Sequence, residues 1–146
     1  MEIIVTQSEV LRSAFTSEEF VNASVVLESD IAAVELRYLL PILGRELYDK
    51  LTVGAYTALR TGYVVPMVAA WTRYTIEPML SQRCGICHSS DEVSRETLSR
   101  LRHIAKTYSR ELTEYLNTHR AEFAEYNPDN NPLNRCSIDG NIVQIY

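Results

Sequence analysis

The segment "SVVLESDIAAVELRYLL" (24–40) places apolar residues at Leu27, Ile31, Val34 and Tyr38, in steps of four, three and four. That spacing marks one face of an α-helix. Pro41 is expected to end or kink it, because the ring disfavours α geometry before it and clashes with the preceding turn. "ILGRELYDKL" resumes the rhythm through Leu43, Leu47 and Leu51. Upstream, "EIIV" (2–5) reads as a short β-type run. "TQSE" (6–9) and "TSEE" (16–19) each set Thr three residues ahead of Glu, the capping-box spacing. They predict short helices over about 7–14 and about 17–22.

Gly54 and Gly62 bracket a short segment. "VPMVAAWTRYTIEPML" (65–80) predicts a helix with Pro66 in its first turn, a stripe of Met67, Ala70, Trp71 and Tyr74, and an end disturbed by Pro78. Val93, Thr97, Leu101, Ala105, Tyr108, Leu112, Tyr115, His119, Phe123 and Tyr126 keep a helical period for about nine turns. The 92–126 segment is therefore expected to be the longest element, with Leu101, Tyr108, Leu112 and Tyr115 buried. Asn127-Pro128 stops it. The predicted fold class is mostly α, a single-domain helical bundle with one long C-terminal helix. Residues 1–127 form the domain, and 128–146 a loop-like tail. Small β pieces are expected as a hairpin near 83–89 and short terminal strands, among them "NIVQIY" (141–146).

Composition narrows the function classes. The 146 residues suit one domain with a real core. Five Gly and five Pro argue against a turn-rich sandwich. The net charge of −5 gives no general reason to expect nucleic-acid binding. Charge is uneven: residues 1–50 hold nine acids and four bases, and residues 51–146 hold ten of each. "MEIIVTQSEV" lacks the basic and apolar regions of a secretory signal, and no run approaches a membrane span. A cytoplasmic chain with reduced thiols is the expectation for its three cysteines.

"SQRCGICHSSDEV" (81–93) contains Cys84-x-x-Cys87-His88, the spacing of c-type haem attachment and half of many zinc sites. Haem would need an export signal and a second axial ligand from Met67, Met79, His103 or His119. Zinc would need further ligands, and Cys136 stands alone. A thioredoxin-like motif would need a βαβ unit around it. The favoured reading is a short hairpin between helices with Gly85 at its tip, with no metal and no cofactor. Catalytic motifs of the G-x-S-x-G, H-E-x-x-H and P-loop kinds are missing from the sequence, so no enzyme is expected. His119 reads as a core or interface histidine, and the nine tyrosines as packing residues.

"AAVELRYLLPILGRELYDKL" (32–51), the Pro-led helix "PMVAAWTRYTIEPML" and a long helix ending in "FAEYNP" together resemble head–tail connector (adaptor, or head-completion) proteins of tailed phages and prophages. The resemblance spans roughly residues 1–127 and rests on short helical patterns. It implies a small helical bundle without catalysis. Subunits would form a homo-oligomeric ring between portal and tail proteins, with DNA passing through its centre and no membrane involved. It places the protein in the cytoplasm of a bacterial host during assembly, and then in the virion. Cys84 to Cys87 and the Asn/Pro-rich tail depart from the family pattern. A small metal-binding or redox protein using Cys84, Cys87 and His88 is the alternative.

Arg95, Arg102, Lys106 and Arg110 share one helix face, seven, four and four residues apart. Bases early and acids late (Glu111, Glu114, Glu122, Glu125) run against the helix macrodipole, so helix stability does not account for the order. A solvated face is one reading. The other is a contact to DNA in a channel, or to an acidic patch of a neighbouring subunit drawn from Glu28, Asp30, Glu35, Glu46 and Asp49.

Overall fold

Helix α1 (Gln7–Ala14) starts where the capping box predicts. Thr6 Oγ1 accepts the Glu9 N–H at 3.3 Å, and the Glu9 carboxylate accepts the Thr6 N–H at 3.1 Å. The computed structural model describes residues 3–15, 25–80, 95–134, 136–139 and 142–145. The helix expected over 17–22 and the hairpin expected near 83–89 lie outside them.

Helix α2 (Glu28–Val34) starts later than the pattern suggested, because Asp30 reaches back to accept the Leu27 N–H at 3.1 Å. Pro41 neither ends nor breaks the helical path. The chain widens into a π-helical turn over Glu35–Leu39 and runs straight on into α3 (Leu40–Leu43). The Leu40 N–H donates to the Glu35 carbonyl, five residues back. A wide turn leaves room for a proline ring that an α turn would push against the carbonyl four residues earlier. The extra residue also rotates the buried face. Leu27 is 44% exposed and Tyr38 half-buried, whereas Ile31, Glu35, Leu39 and Ile42 are buried. Gly44, in the left-handed region at φ 78, turns the chain into α4 (Arg45–Thr52).

The device recurs. After α5 (Thr57–Leu59), a second π turn, Arg60–Val64, leads into α6 (Val65–Ile76) with Pro66 in its first turn. Helix α6 is the centre of the molecule. Met67, Val68, Ala69, Trp71, Thr72 and Ile76 are buried on nearly all its sides. It packs against α1, α2 and the long helix α7 (Arg95–Thr118). A 3₁₀ turn over Glu77–Met79, containing Pro78, comes directly after it.

Helix α7 is the longest element described, at 24 residues, but it stops at Thr118 rather than near 126. A 3₁₀ turn, Arg120–Glu122, folds the chain back so that Phe123 and Tyr126 still reach the core. Their helical spacing in the sequence came from packing, not from a continuing helix. The buried seam is Leu101, Ala105, Ser109, Leu112 and Leu116. Tyr108, expected inside, lies on the border of that seam and is 36% exposed, as is its neighbour Ile104 at 41%. Tyr115 is half-buried, stacked on Tyr63 with centroids 4.1 Å apart.

Beyond α7, 3₁₀ turns over Pro128–Asn130 and Pro132–Asn134 lie against the helix through a polar network. Buried Asn131 donates to Thr113 Oγ1 and to the Tyr126 hydroxyl, and accepts the Leu133 N–H at 3.0 Å. Tyr126 donates to Asn117 at 2.7 Å, and Asn117 bonds Asn134. Strands β1 (Cys136–Asp139) and β2 (Ile142–Ile145) pair antiparallel, with Cys136 opposite Ile145. Of "EIIV", the described residues 3–5 form no strand. Ile4 and Val5 lie in a bend, and their backbone donors are satisfied by a side chain instead. The described chain is mostly helical, and none of its helices is long and apolar enough to cross a membrane.

Candidate functional site

Two places hold charge in unusual surroundings. The first is Glu35, at the start of the first π turn and fully buried at 0% exposure. It cannot belong to the surface acidic patch expected from the sequence. Its carboxylate accepts the Ile4 N–H at 2.6 and 3.0 Å, the Val5 N–H at 3.1 Å and the Tyr48 hydroxyl at 3.4 Å. Arg60, at the start of the second π turn, holds the other side of the same segment. It donates to the Ile4 carbonyl at 2.9 and 3.2 Å and pairs with Glu9. The N-terminal segment is thus clamped by its donors to one helix and by its acceptors to another.

Burial pushes the Glu35 carboxyl above its ordinary value of 4.5, against the opposing hydrogen bonds from Val5, Ile4 and Tyr48. Tyr48 is pushed up to about 12 by burial and then by the Glu35 charge. For Glu9 burial acts upward, but hydrogen bonds from Arg60 and Thr6 outweigh it and hold the carboxyl below 4.5. Both Glu35 oxygens and the Tyr48 hydroxyl are engaged within the fold, so the role of this cluster is positioning.

The second place is a half-open cavity of about 770 Å³ between α7, the first π turn, α3 and the Pro132–Asn134 turn. Tyr38 and Trp71 form its floor, stacked with centroids 3.9 Å apart and planes 7° apart. The Trp71 indole N–H donates to Ser109 Oγ at 2.9 Å. Pro41, Ile42 and Leu133 supply apolar walls, and Arg37, Lys106 and Arg110 line the mouth. All three cations are exposed and form no ion pair among the described residues.

The structure brings together part of the predicted basic stripe. Arg95, Arg102, Lys106 and Arg110 are all exposed on α7. Lys106 and Arg110 reach the cavity, whereas Arg95 lies at a shallow cleft with Arg100 and His103. Of the expected acidic patch, Glu28 and Glu46 are exposed, Asp30 is spent on the Leu27 N–H, and Asp49 pairs with Arg45 at 3.3 Å. Among candidate haem ligands, Met67 is packed in the core, His103 is exposed, and His119 lies against Tyr115 with Nδ1 3.0 Å from its carbonyl oxygen. Cys84, Cys87 and His88 lie outside the described residues. No group of three or more His, Cys, Asp or Glu positioned for a metal occurs among the described residues.

Arg37, Tyr38 and Ser109 carried no functional signal in the sequence. Tyr38 read as one more core position. Glu35 left a trace: it stands four residues from both Ile31 and Leu39, inside an apolar face. No family model matches the chain, and no curated protein or solved structure matches it.

Proposed function

We propose that the protein is a non-enzymatic structural subunit of a tailed phage or prophage, forming a ring at the head–tail junction between portal and tail. The observation that carries this reading is the exposed basic stripe of Arg95, Arg102, Lys106 and Arg110, which makes no ion pair among the described residues. The mostly helical fold accords with the resemblance of residues 1–127 to connector proteins. A closed ring needs a heterologous interface, in which one face meets a different face of the next subunit. The stripe offers one such face, and exposed Glu28 and Glu46 on α2 and α4 contribute to another. Exposed ion pairs are worth only about 0–1 kcal/mol each, so they set orientation and register while apolar contacts hold the ring. The stripe also suits non-specific contact with DNA in the channel.

Electron microscopy or native mass spectrometry of the protein with portal should show ring subunits. Reversing Arg102 and Lys106 to Glu should weaken assembly at unchanged helical content. Assembly untouched by that reversal at low salt, where screening is least, would refute the electrostatic interface.

A further inference from the structure

The cavity beside α7 has a chemistry of its own that a ring contact does not require. We infer that the slot floored by Tyr38 and Trp71 and rimmed by Arg37, Lys106 and Arg110 binds a flat aromatic anion, an aromatic carboxylate or sulfonate. The volume of about 770 Å³ falls in the range of small-molecule sites, roughly 300–1,000 Å³. The lining is of the matching kind: an apolar body with a few polar groups at one side. Ile42, Pro41 and Leu133 line the same slot as Tyr38 and Trp71, so a flat ring would find mostly apolar contact there.

Charge fixes the other half of the ligand. Three cations line the mouth, no carboxylate side chain lines the slot, and none of the three is neutralised by an ion pair among the described residues. Arg37 and Arg110 can each grip a carboxylate or sulfonate through two parallel N–H donors. The floor argues against a base-reading site. The indole N–H is already spent on Ser109, so Trp71 offers the slot no donor. A nucleobase would bring several polar edge atoms into a wall with little to pair them, whereas a plain aromatic acid leaves nothing unsatisfied.

Trp71 is the sole tryptophan of the chain and sits in the floor, so its emission reports occupancy directly. The probe is 8-anilinonaphthalene-1-sulfonate, with uncharged N-phenyl-1-naphthylamine as its control. The sulfonate should bind saturably, one per chain, quenching Trp71. Arg37→Glu with Arg110→Glu should weaken it by roughly tenfold or more, about 1.4 kcal/mol, and leave the uncharged dye within about twofold by the same relation. Should the double reversal fail to fold by circular dichroism, Arg37→Gln with Arg110→Gln serves for the same comparison. Arg102→Glu, off the slot, should leave dye binding intact even if it impairs ring assembly, which separates this inference from the ring reading. Naphthoate should displace the dye and adenosine monophosphate should not. Unsaturable binding, equal loss of both dyes in the variants, or displacement by the nucleotide alone would overturn the assignment.

Discussion

At the scale of single residues, Glu35 determines how the N-terminal segment is held. Glu35→Gln keeps the oxygen that accepts both the Ile4 and Val5 N–H but turns an N–H₂ toward the Ile4 N–H and the Tyr48 hydroxyl, a loss of about 1–3 kcal/mol. Glu35→Ala strands both donors and opens a void, for about 2–5 kcal/mol. Tyr48→Phe, which removes a 3.4 Å contact, should cost less than about 1 kcal/mol. Urea midpoints rank the three, and a Tyr48→Phe loss equal to that of Glu35→Gln would contradict this account. The pH dependence comes from the directions of the shifts. With Glu35 raised above 4.5, the folded chain binds more protons than the unfolded one just above that value, so its contribution is present on the acid side and lost as pH rises. Glu9, lowered, behaves oppositely, and its contribution is lost as pH falls below 4.5. The stability of the wild type minus that of Glu35→Gln should therefore increase as pH drops from about 7 toward about 5. A difference that shrinks over that interval would reverse the assigned direction.

At the scale of elements, the sequence made helices legible and their junctions obscure. The capping box at Thr6 and Glu9 placed α1 closely, because both partners lie within four residues of each other. Pro41 misled: local rules read it as a stop or kink, but a π turn one step upstream absorbs it, whereas Pro66 stands at the start of α6 as its pattern implied. Whether a chain breaks or widens there depends on what holds the widened turn, and Ile4, Val5 and Glu9 come from far along the chain. Pro41→Ala restores the missing N–H and favours a regular α register. That would rotate Glu35 and Tyr38 out of place. The expected result is near-constant far-ultraviolet circular dichroism with a loss of the near-ultraviolet signal from the Tyr38–Trp71 stack. Unchanged near-ultraviolet bands would show that the turn persists without the proline. Asn131→Ala should cost about 1–3 kcal/mol and speed hydrogen exchange over residues 128–134, since two buried hydrogen bonds and one part-buried one meet at that side chain. Exchange rates like those of the wild type would mean that the turn is held by Leu133 packing instead.

At the scale of the whole molecule, α6 is the element around which α1, α2 and α7 assemble, although the sequence pattern marked only one stripe of it, Met67, Ala70, Trp71 and Tyr74. A twelve-residue helix with apolar or small residues on nearly every side has no solvated face to offer. The cavity was not legible, because it forms where five elements meet and its rim mixes Arg37 with α7 cations about seventy positions away. The basic stripe was legible as a spacing, yet only Lys106 and Arg110 of its four members reach the slot. Raising salt should weaken portal-dependent assembly more than dye binding, because the dye also gains apolar contact that salt does not screen, whereas the stripe orients subunits through exposed charges. Sedimentation and dye titration over one salt series would check this, and equal sensitivity would argue against the distinction.

The clamp on residues 3–9 also has a consequence in time. The partners of this segment stand 31 and 56 positions later along the chain, at Glu35 and Arg60. The clamp joins residues far apart in sequence, so its closure carries a loop-closure entropy cost that a local helix does not. Both halves of the clamp can form only once Arg60 has been made. In the finished protein Ile4 and Val5 are buried and held on both sides, so exchange of their amide hydrogens requires the clamp itself to open.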